Sequence, residues 1–303
     1  MVVEIGSEIR IRDASKELYD WAQENLIIPN PQYRERERRG LWVGNTPKYL
    51  WLYHVDGSDL IVPTGVGKQV RQFLSEKDQI YVHLADNGLL DYKGTIPLYD
   101  YQKEAVEVMQ RTSCGILQSP CGSGKTQMGI ALAAELGRKV LWVTHTQDLL
   151  IQSKTRAEQY FSSETLGTIT AGKAQVGSHI TFATVQTLCK MDLEQFRYTW
   201  DVVIVDECHR LAGSPTQVTM FYKVMNSLAA RHKYGLSATV HRSDGMIKST
   251  FAVLGPVIYK VPDEAVADKT MQVRILQRNT DITVSRSCLD TDGTLDYNEL
   301  LSY

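Results

Sequence analysis

Residues 117–127, LQSPCGSGKTQ, join the end of a short apolar run to a stretch with helical spacing. A glycine-rich turn that leads from strand to helix and closes on Gly-Lys-Thr presents backbone N–H groups and a lysine to the phosphates of a nucleotide. The full phosphate-loop pattern, G-x-x-x-x-G-K-[ST], puts a glycine where this chain has Ser119. That first position mainly shapes the turn, and a small Ser119 followed by Pro120 meets the need. Gly122 and Gly124 let the loop, with Cys121 and Ser123, fold its N–H groups toward a β-phosphate. Lys125 opens the helix and reaches the β- and γ-phosphates, while the Thr126 hydroxyl is placed to ligate Mg²⁺.

Around this loop the runs CGILQ (114–118), KVLWVTH (139–145), HITFATV (179–185), DVVIVDE (201–207) and KYGLSAT (233–239) are apolar and rich in β-branched residues. Helical patterns separate most of them, among them KTQMGIALAAELG, which ends on Gly137 as a C-cap. Strands buried on both faces and alternating with helices predict an α/β fold with a parallel sheet. Ligands of such sheets bind at the carboxyl ends of the strands, where the phosphate loop falls. WDVVIVDECHR (200–210) ends its strand on two adjacent carboxylates, Asp206 and Glu207. Side by side and buried, they need a cation to compensate them. Asp206 is placed to hold Mg²⁺ through water, and Glu207 to orient and deprotonate an attacking water.

Composition sets the outer limits. Of 303 residues, 43% are hydrophobic and 22% charged, enough for two modest domains. The formal net charge of −2 gives no global basic field, so contact with nucleic acid would need local positive charge. Five cysteines (114, 121, 189, 208 and 288) form no C-x-x-C pair, which suits a reducing compartment. With no basic-then-apolar leader and no apolar run near ~20 residues, the reading is a cytoplasmic protein with no membrane partner.

Three images share an order in the chain: PCGSGKT (120–126), DECHR (206–210) and GLSATVHRSDG (235–245). Together they resemble motifs I, II and III of the superfamily 2 (DEAD/DEAH-type) helicases and translocases. Nearest in look are the type III restriction helicase subunit, the XPB translocases and the phage UvsW-like helicases. The resemblance implies a RecA-like P-loop NTPase domain using ATP and Mg²⁺, and a nucleic-acid partner, DNA favoured over RNA. LYDYQKEAV (98–106) resembles the adenine-side Q motif, which implies that Gln102 reads adenine. His209, Ser237, Ala238 and Thr239 are implied to couple the γ-phosphate to domain movement, with Arg242, Asp244 and Gly245 matching the run that follows. VTHTQDLLIQ (143–152), TAG (170–172) and ATVQTL (183–188) resemble the strand-contacting motifs, which makes Thr144, Thr146, Gly172 and Thr187 candidates for the sugar-phosphate backbone.

The expected organisation is an accessory α+β domain over 1–92, the RecA-like ATP-binding domain over 93–265, and 266–303 as the link to a second RecA-like domain. EIRIRD (8–13), the runs flanking Asp56-Gly57, and QIYVHLA (79–85) read as strands; SKELYDWAQENL, with Ser15 as N-cap, and GKQVRQFL read as helices. DNGLLDYKGTIP (86–97) is turn-rich and reads as the domain boundary. The arginine-finger motif of the superfamily's second domain, Q-x-x-G-R-x-x-R, does not occur in the sequence. Weak isolated ATP turnover is therefore expected, with the arginine supplied by that second domain or a partner chain. The alternative is an ATP-gated module that binds nucleic acid or a partner without efficient turnover. QYRERERRG (32–40) gathers Arg34, Arg36, Arg38 and Arg39 ahead of Trp42, Lys48, Trp51 and Tyr53. These are candidates for phosphate contact and base stacking, set against a self-paired solvated face with core tryptophans. CLDTDGTLDYNE (288–299) fits a calcium loop except at its first ligand, Cys288, and reads instead as an acidic turn.

Overall fold

The computed structural model describes residues 1–170, 173–240 and 245–266. At the amino end β1 (Val2–Ile5) and β2 (Glu8–Arg12) pair antiparallel, and α1 (Lys16–Asn25) follows with the Ser15 hydroxyl accepting from Leu18 N. Next come β3 (Ile27–Pro29), α2 (Pro31–Arg38), β4 (Tyr49–Trp51), β5 (His54–Asp56), β6 (Asp59–Pro63), α3 (Gly67–Arg71) and β7 (Gln79–Val82). Five strands form a mixed sheet in the order β5-β6-β2-β1-β7, while β3 and β4 pair separately as a ribbon. Val3, Ile9, Ile11, Leu60 and Val62 alternate toward one face and pack on Leu18 and Ala22 of α1. In contrast α2 buries none of its residues.

The larger part of the chain alternates α4 (Asp100–Gln110), β8 (Cys114–Gln118), α5 (Lys125–Leu136), β9 (Val140–Thr144), α6 (Gln147–Ala157), β10 (Leu166–Thr170), β11 (Lys173–Gln175), β12 (Ile180–Thr184), α7 (Val185–Cys189), β13 (Val202–Val205), α8 (Pro215–Ser227), β14 (His232–Ser237), α9 (Ile247–Leu254) and β15 (Val257–Lys260). Its eight strands run in the order β11-β10-β12-β9-β13-β14-β8-β15, parallel except for the β10–β11 hairpin. β9, β12 and β13 are buried throughout, with one apolar cluster on each face of the sheet. This is the RecA-like α/β fold that the five apolar runs predict. The sequence misses β10, β11 and β15 because the first alternates with polar residues and the other two lie at exposed edges. β14 sits between β8 and β13, so the phosphate loop, the carboxylates and Ser237 all leave neighbouring strand ends.

The turn-rich segment read as a boundary is held against this sheet. Ala85 N donates to Ala229 O (2.8 Å), Asn87 N to the Asp201 carboxylate (2.8 Å), and the Tyr92 hydroxyl to Arg138 O (2.7 Å). The buried Lys233 Nζ donates across the seam to Ser7 O (3.0 Å) and also to Met225 O (2.9 Å). Ala212, Val218, Met246 and Ala252 of the larger part complete the core of the smaller one. The described residues accordingly belong to one compact unit.

Candidate nucleotide site and strand-contact faces

Ser119, standing where the motif has glycine, is not among the residues with positive φ, so its backbone has no need of one. Its N–H donates to Ser237 O on β14 (2.9 Å), and its hydroxyl donates to that of Ser123 (2.5 Å) across the loop. Both serines are buried. Gly124 is constrained twice over. Its φ of 81° is left-handed, and a Cβ there would stand 2.5 Å from Gln102 Nε2.

Gln102 is buried against the loop. Its Oε1 accepts from Tyr99 N (2.9 Å) and its Nε2 donates to Ser123 O (2.8 Å), which also receives the Tyr101 hydroxyl (2.9 Å). One lone pair of Oε1 remains, while the amide also lies within reach of the Tyr101 hydroxyl.

Strand alternation would send Asp206 and Glu207 to opposite sides. Glu207 escapes this by a left-handed conformation, φ 48° and ψ 47°, uncommon outside glycine and typical of functional strain. Its Oε1 stands 3.5 Å from Lys125 Nζ and its Oε2 3.3 Å from His209 Nδ1. His209 Nδ1 also lies 2.9 Å from Ser237 Oγ. The Ser237 hydroxyl proton goes to Thr239 O (2.5 Å), which leaves His209 as the donor to serine. A continuous path thus runs from Lys125 through Glu207 and His209 to Ser237 and Thr239.

Asp206 accepts from Glu207 N (3.0 Å) and from the Ser153 hydroxyl (3.3 Å). Burial, and then the neighbouring Glu207 charge, push its carboxyl up to about 6. The Thr126 hydroxyl makes no hydrogen bond among the described residues. A buried carboxylate short of compensating charge, beside an unbonded hydroxyl, is a hard-oxygen donor set that suits Mg²⁺. Burial also raises the Cys208 thiol, which lies fully inside and is no nucleophile; Cys121 is exposed on the loop.

The groove over these groups encloses about 580 Å³ and continues into a base-side cavity of about 470 Å³ beside Tyr99, Tyr101 and Gln102. Its outer wall comes from one face of α6, with Gln152 and Arg156. Sequence reasoning assigned nothing there, although Leu149, Gln152 and Arg156 follow helical spacing from the strand-contact motif.

The strand-contact candidates divide. Thr144 is fully buried and its hydroxyl donates to Thr146 O (3.0 Å), bracing the loop that follows β9. The Thr146 hydroxyl accepts from Leu149 N as the α6 cap (3.4 Å). Thr187 shares a hydroxyl bond with Thr184 (2.9 Å) and lines a cavity of about 460 Å³ with Thr170, Gln186, Lys173 and Lys190. The two lysines escaped the sequence reading; Lys190, three residues beyond Thr187, was within its reach. Gly172, Arg242, Asp244 and the acidic turn 288–299 lie outside the described residues.

Arg34, Arg36, Arg38 and Arg39 are all exposed on or just beyond α2. Arg39 pairs with Glu35 (2.8 Å) and Arg36 donates to Trp42 O (3.3 Å). Trp42 is 84% exposed and Trp51 58%, so neither tryptophan fills a core; Tyr53 does.

A phosphate loop, a strand-end acid pair and a Ser-Ala-Thr segment on adjacent parallel strands define a RecA-like P-loop domain. Residues 95–242 match the family described as "Type III restriction enzyme, res subunit". The chain is 29% identical over 207 residues to a DNA 3'-5' translocase XPB2 of Sulfurisphaera tokodaii, covering 67% of this chain and 45% of that protein. It is 26% identical over 174 residues to a DNA 3'-5' helicase XPB of Mycobacterium tuberculosis, covering 54% and 30%. The chain therefore spans less than half the length of these curated relatives. In fold it is similar to the UvsW helicase of bacteriophage T4, with a TM-score of 0.61 and 21% identity over 86% of this chain and 100% of that one. Among the described residues no helix is long and apolar enough to cross a membrane.

Proposed function

We propose that this chain is the ATP-binding half of a nucleic-acid helicase or translocase that works on DNA. The observation that carries the reading is the chain of polar contacts from Lys125 through Glu207 and His209 to Ser237, whose carbonyl also accepts from Ser119 of the phosphate loop. Such a path lets a change at the γ-phosphate move the segment that follows β14. DNA is favoured because the relatives named above are DNA helicases and translocases.

Lys125 and the free N–H groups at the start of α5 hold the phosphates. Thr126 and Asp206 would hold Mg²⁺, which when bound draws charge from the β- and γ-phosphates. Glu207 orients a water toward the γ-phosphorus and takes its proton as the bond to the β-phosphate oxygen breaks, releasing ADP and phosphate. Gln102 reads the base. His209, Ser237, Ala238, Thr239 and Arg242 couple the event to movement. Thr187, Thr146 and Gly172, with Lys173 and Lys190, contact the strand backbone, and the four arginines of the arm add phosphate contacts. We keep 1–92 as accessory domain and 93–265 as first RecA-like domain, with 266–303 leading toward a second. That second domain, or a partner chain, supplies the arginine finger, worth about 10³–10⁵ in rate in related NTPases.

The test is ATP hydrolysis with and without a DNA oligonucleotide, using Glu207→Gln as the blank. The motor reading expects slow hydrolysis above the blank that rises with DNA. Tight ATP binding with no hydrolysis above the blank would favour the gated module instead.

A further inference from the structure

We propose that Arg156, near the end of α6, holds the base of the bound nucleotide, laying its guanidinium on the ring face opposite Tyr99 and Tyr101. The inference rests on the nucleotide reading and assigns a residue outside every motif. Arg156 lines both the phosphate groove and the adjoining base-side cavity, so it stands where the two join. Among the described residues it is the only charged side chain lining that cavity. No carboxylate pairs with it among the described residues; its single hydrogen bond runs to Gln159 Oε1 (2.9 Å). Its neighbour Lys154, by contrast, is paired with Glu158 (3.7 Å).

Tyr99 and Tyr101 line the same cavity. They stack with centroids 5.8 Å apart and planes 13° from parallel. Tyr101 is fixed by its bond to Ser123 O, and Tyr99 is 53% exposed. Gln102 lines the same cavity, and its Oε1 keeps a lone pair for a base N–H. A planar, weakly hydrated guanidinium that shares a cavity with aromatic rings suits a flat, electron-rich base. Release from Gln159 costs little, because that bond is exposed to water.

Calorimetric titration of ATP and of inorganic tripolyphosphate into the parent, Arg156→Ala, Arg156→Lys and Lys125→Ala proteins tests the assignment. Arg156→Ala should weaken ATP by about fivefold and leave tripolyphosphate unchanged. Arg156→Lys should not restore ATP affinity, since an ammonium keeps the charge but not the plane. The side chain is exposed, so melting curves of both Arg156 variants should match the parent. Unchanged ATP affinity in Arg156→Ala, with binding still lost in Lys125→Ala, overturns this inference alone. An equal loss on tripolyphosphate overturns it too, making Arg156 a phosphate ligand. ATP that does not bind the parent protein overturns the nucleotide reading and this one together.

Discussion

The nucleotide pocket and the arm from residue 30 to 53 both gather polar and aromatic side chains, yet they are built in opposite ways. In the pocket Ser119, Ser123, Gln102, Asp206 and His209 each hold a protein partner, and most are buried. In the arm an entire helix buries nothing, and Trp42 and Trp51 face water. Five cations there meet only two carboxylates, in a chain whose net charge is −2. A pocket that positions reacting atoms needs fixed geometry, and it accepts buried charge and a strained Glu207 to obtain it. A surface that follows a flexible backbone of phosphates needs only charge and exposed rings.

The contrast implies a ranking of effects, led by Glu207. Glu207→Gln keeps the shape and removes the proton acceptor, so turnover should fall by about 10²–10⁴ while Mg·ATP stays bound. Single-turnover hydrolysis checks this, and an unaffected rate would free Glu207 from its role.

Asp206 comes next, through stability. Its folded pKa, about 6, lies above the ordinary 3.8, so the folded protein holds the proton more tightly than the unfolded chain. Stability from this group is full below pH 3.8 and is lost as pH rises through about 6, roughly 3 kcal/mol in all. In Mg²⁺-free protein at pH 8, Asp206→Asn should therefore melt higher than the parent, the gain shrinking toward pH 4. Parallel melting profiles across that range would show a carboxylate already compensated.

Replacing Arg34, Arg36, Arg38 and Arg39 by glutamine should weaken duplex and single strands alike. Each lost phosphate contact removes about 0.7–0.9 from the slope of log affinity against log salt. An unchanged slope in anisotropy titrations would make the arm a solvated face, its charges answered by Glu35 and Glu37. The smallest effect belongs to the rings. Trp42→Ala or Trp51→Ala should cost about 1–3 kcal/mol on single strands only, with the salt slope intact. Equal losses on duplex would argue against stacking.

How much of this the sequence revealed follows the same contrast. Buried parallel strands announce themselves as continuous apolar runs, and a loop of fixed covalent spacing carries its own geometry, so the fold and the residues from Ser119 to Thr126 were legible. Edge strands β10, β11 and β15 lack that signature. Ser153 and Arg156 reach the pocket from another element, and helical spacing shows which residues share a face without showing what that face meets. The left-handed turn at Glu207 is a property of ψ and φ that no residue type announces. Thr144 shows the converse: its motif match was visible, its burial was not.

The account stands most directly on one calorimetric titration of Mg·ATP into the parent protein and into Lys125→Ala. It predicts a single saturable site in the parent that is lost in the variant, because the ammonium 3.5 Å from Glu207 is the pocket's point charge for the phosphates. Equal affinity in the two proteins, or no binding to either at folded melting temperatures, would contradict it.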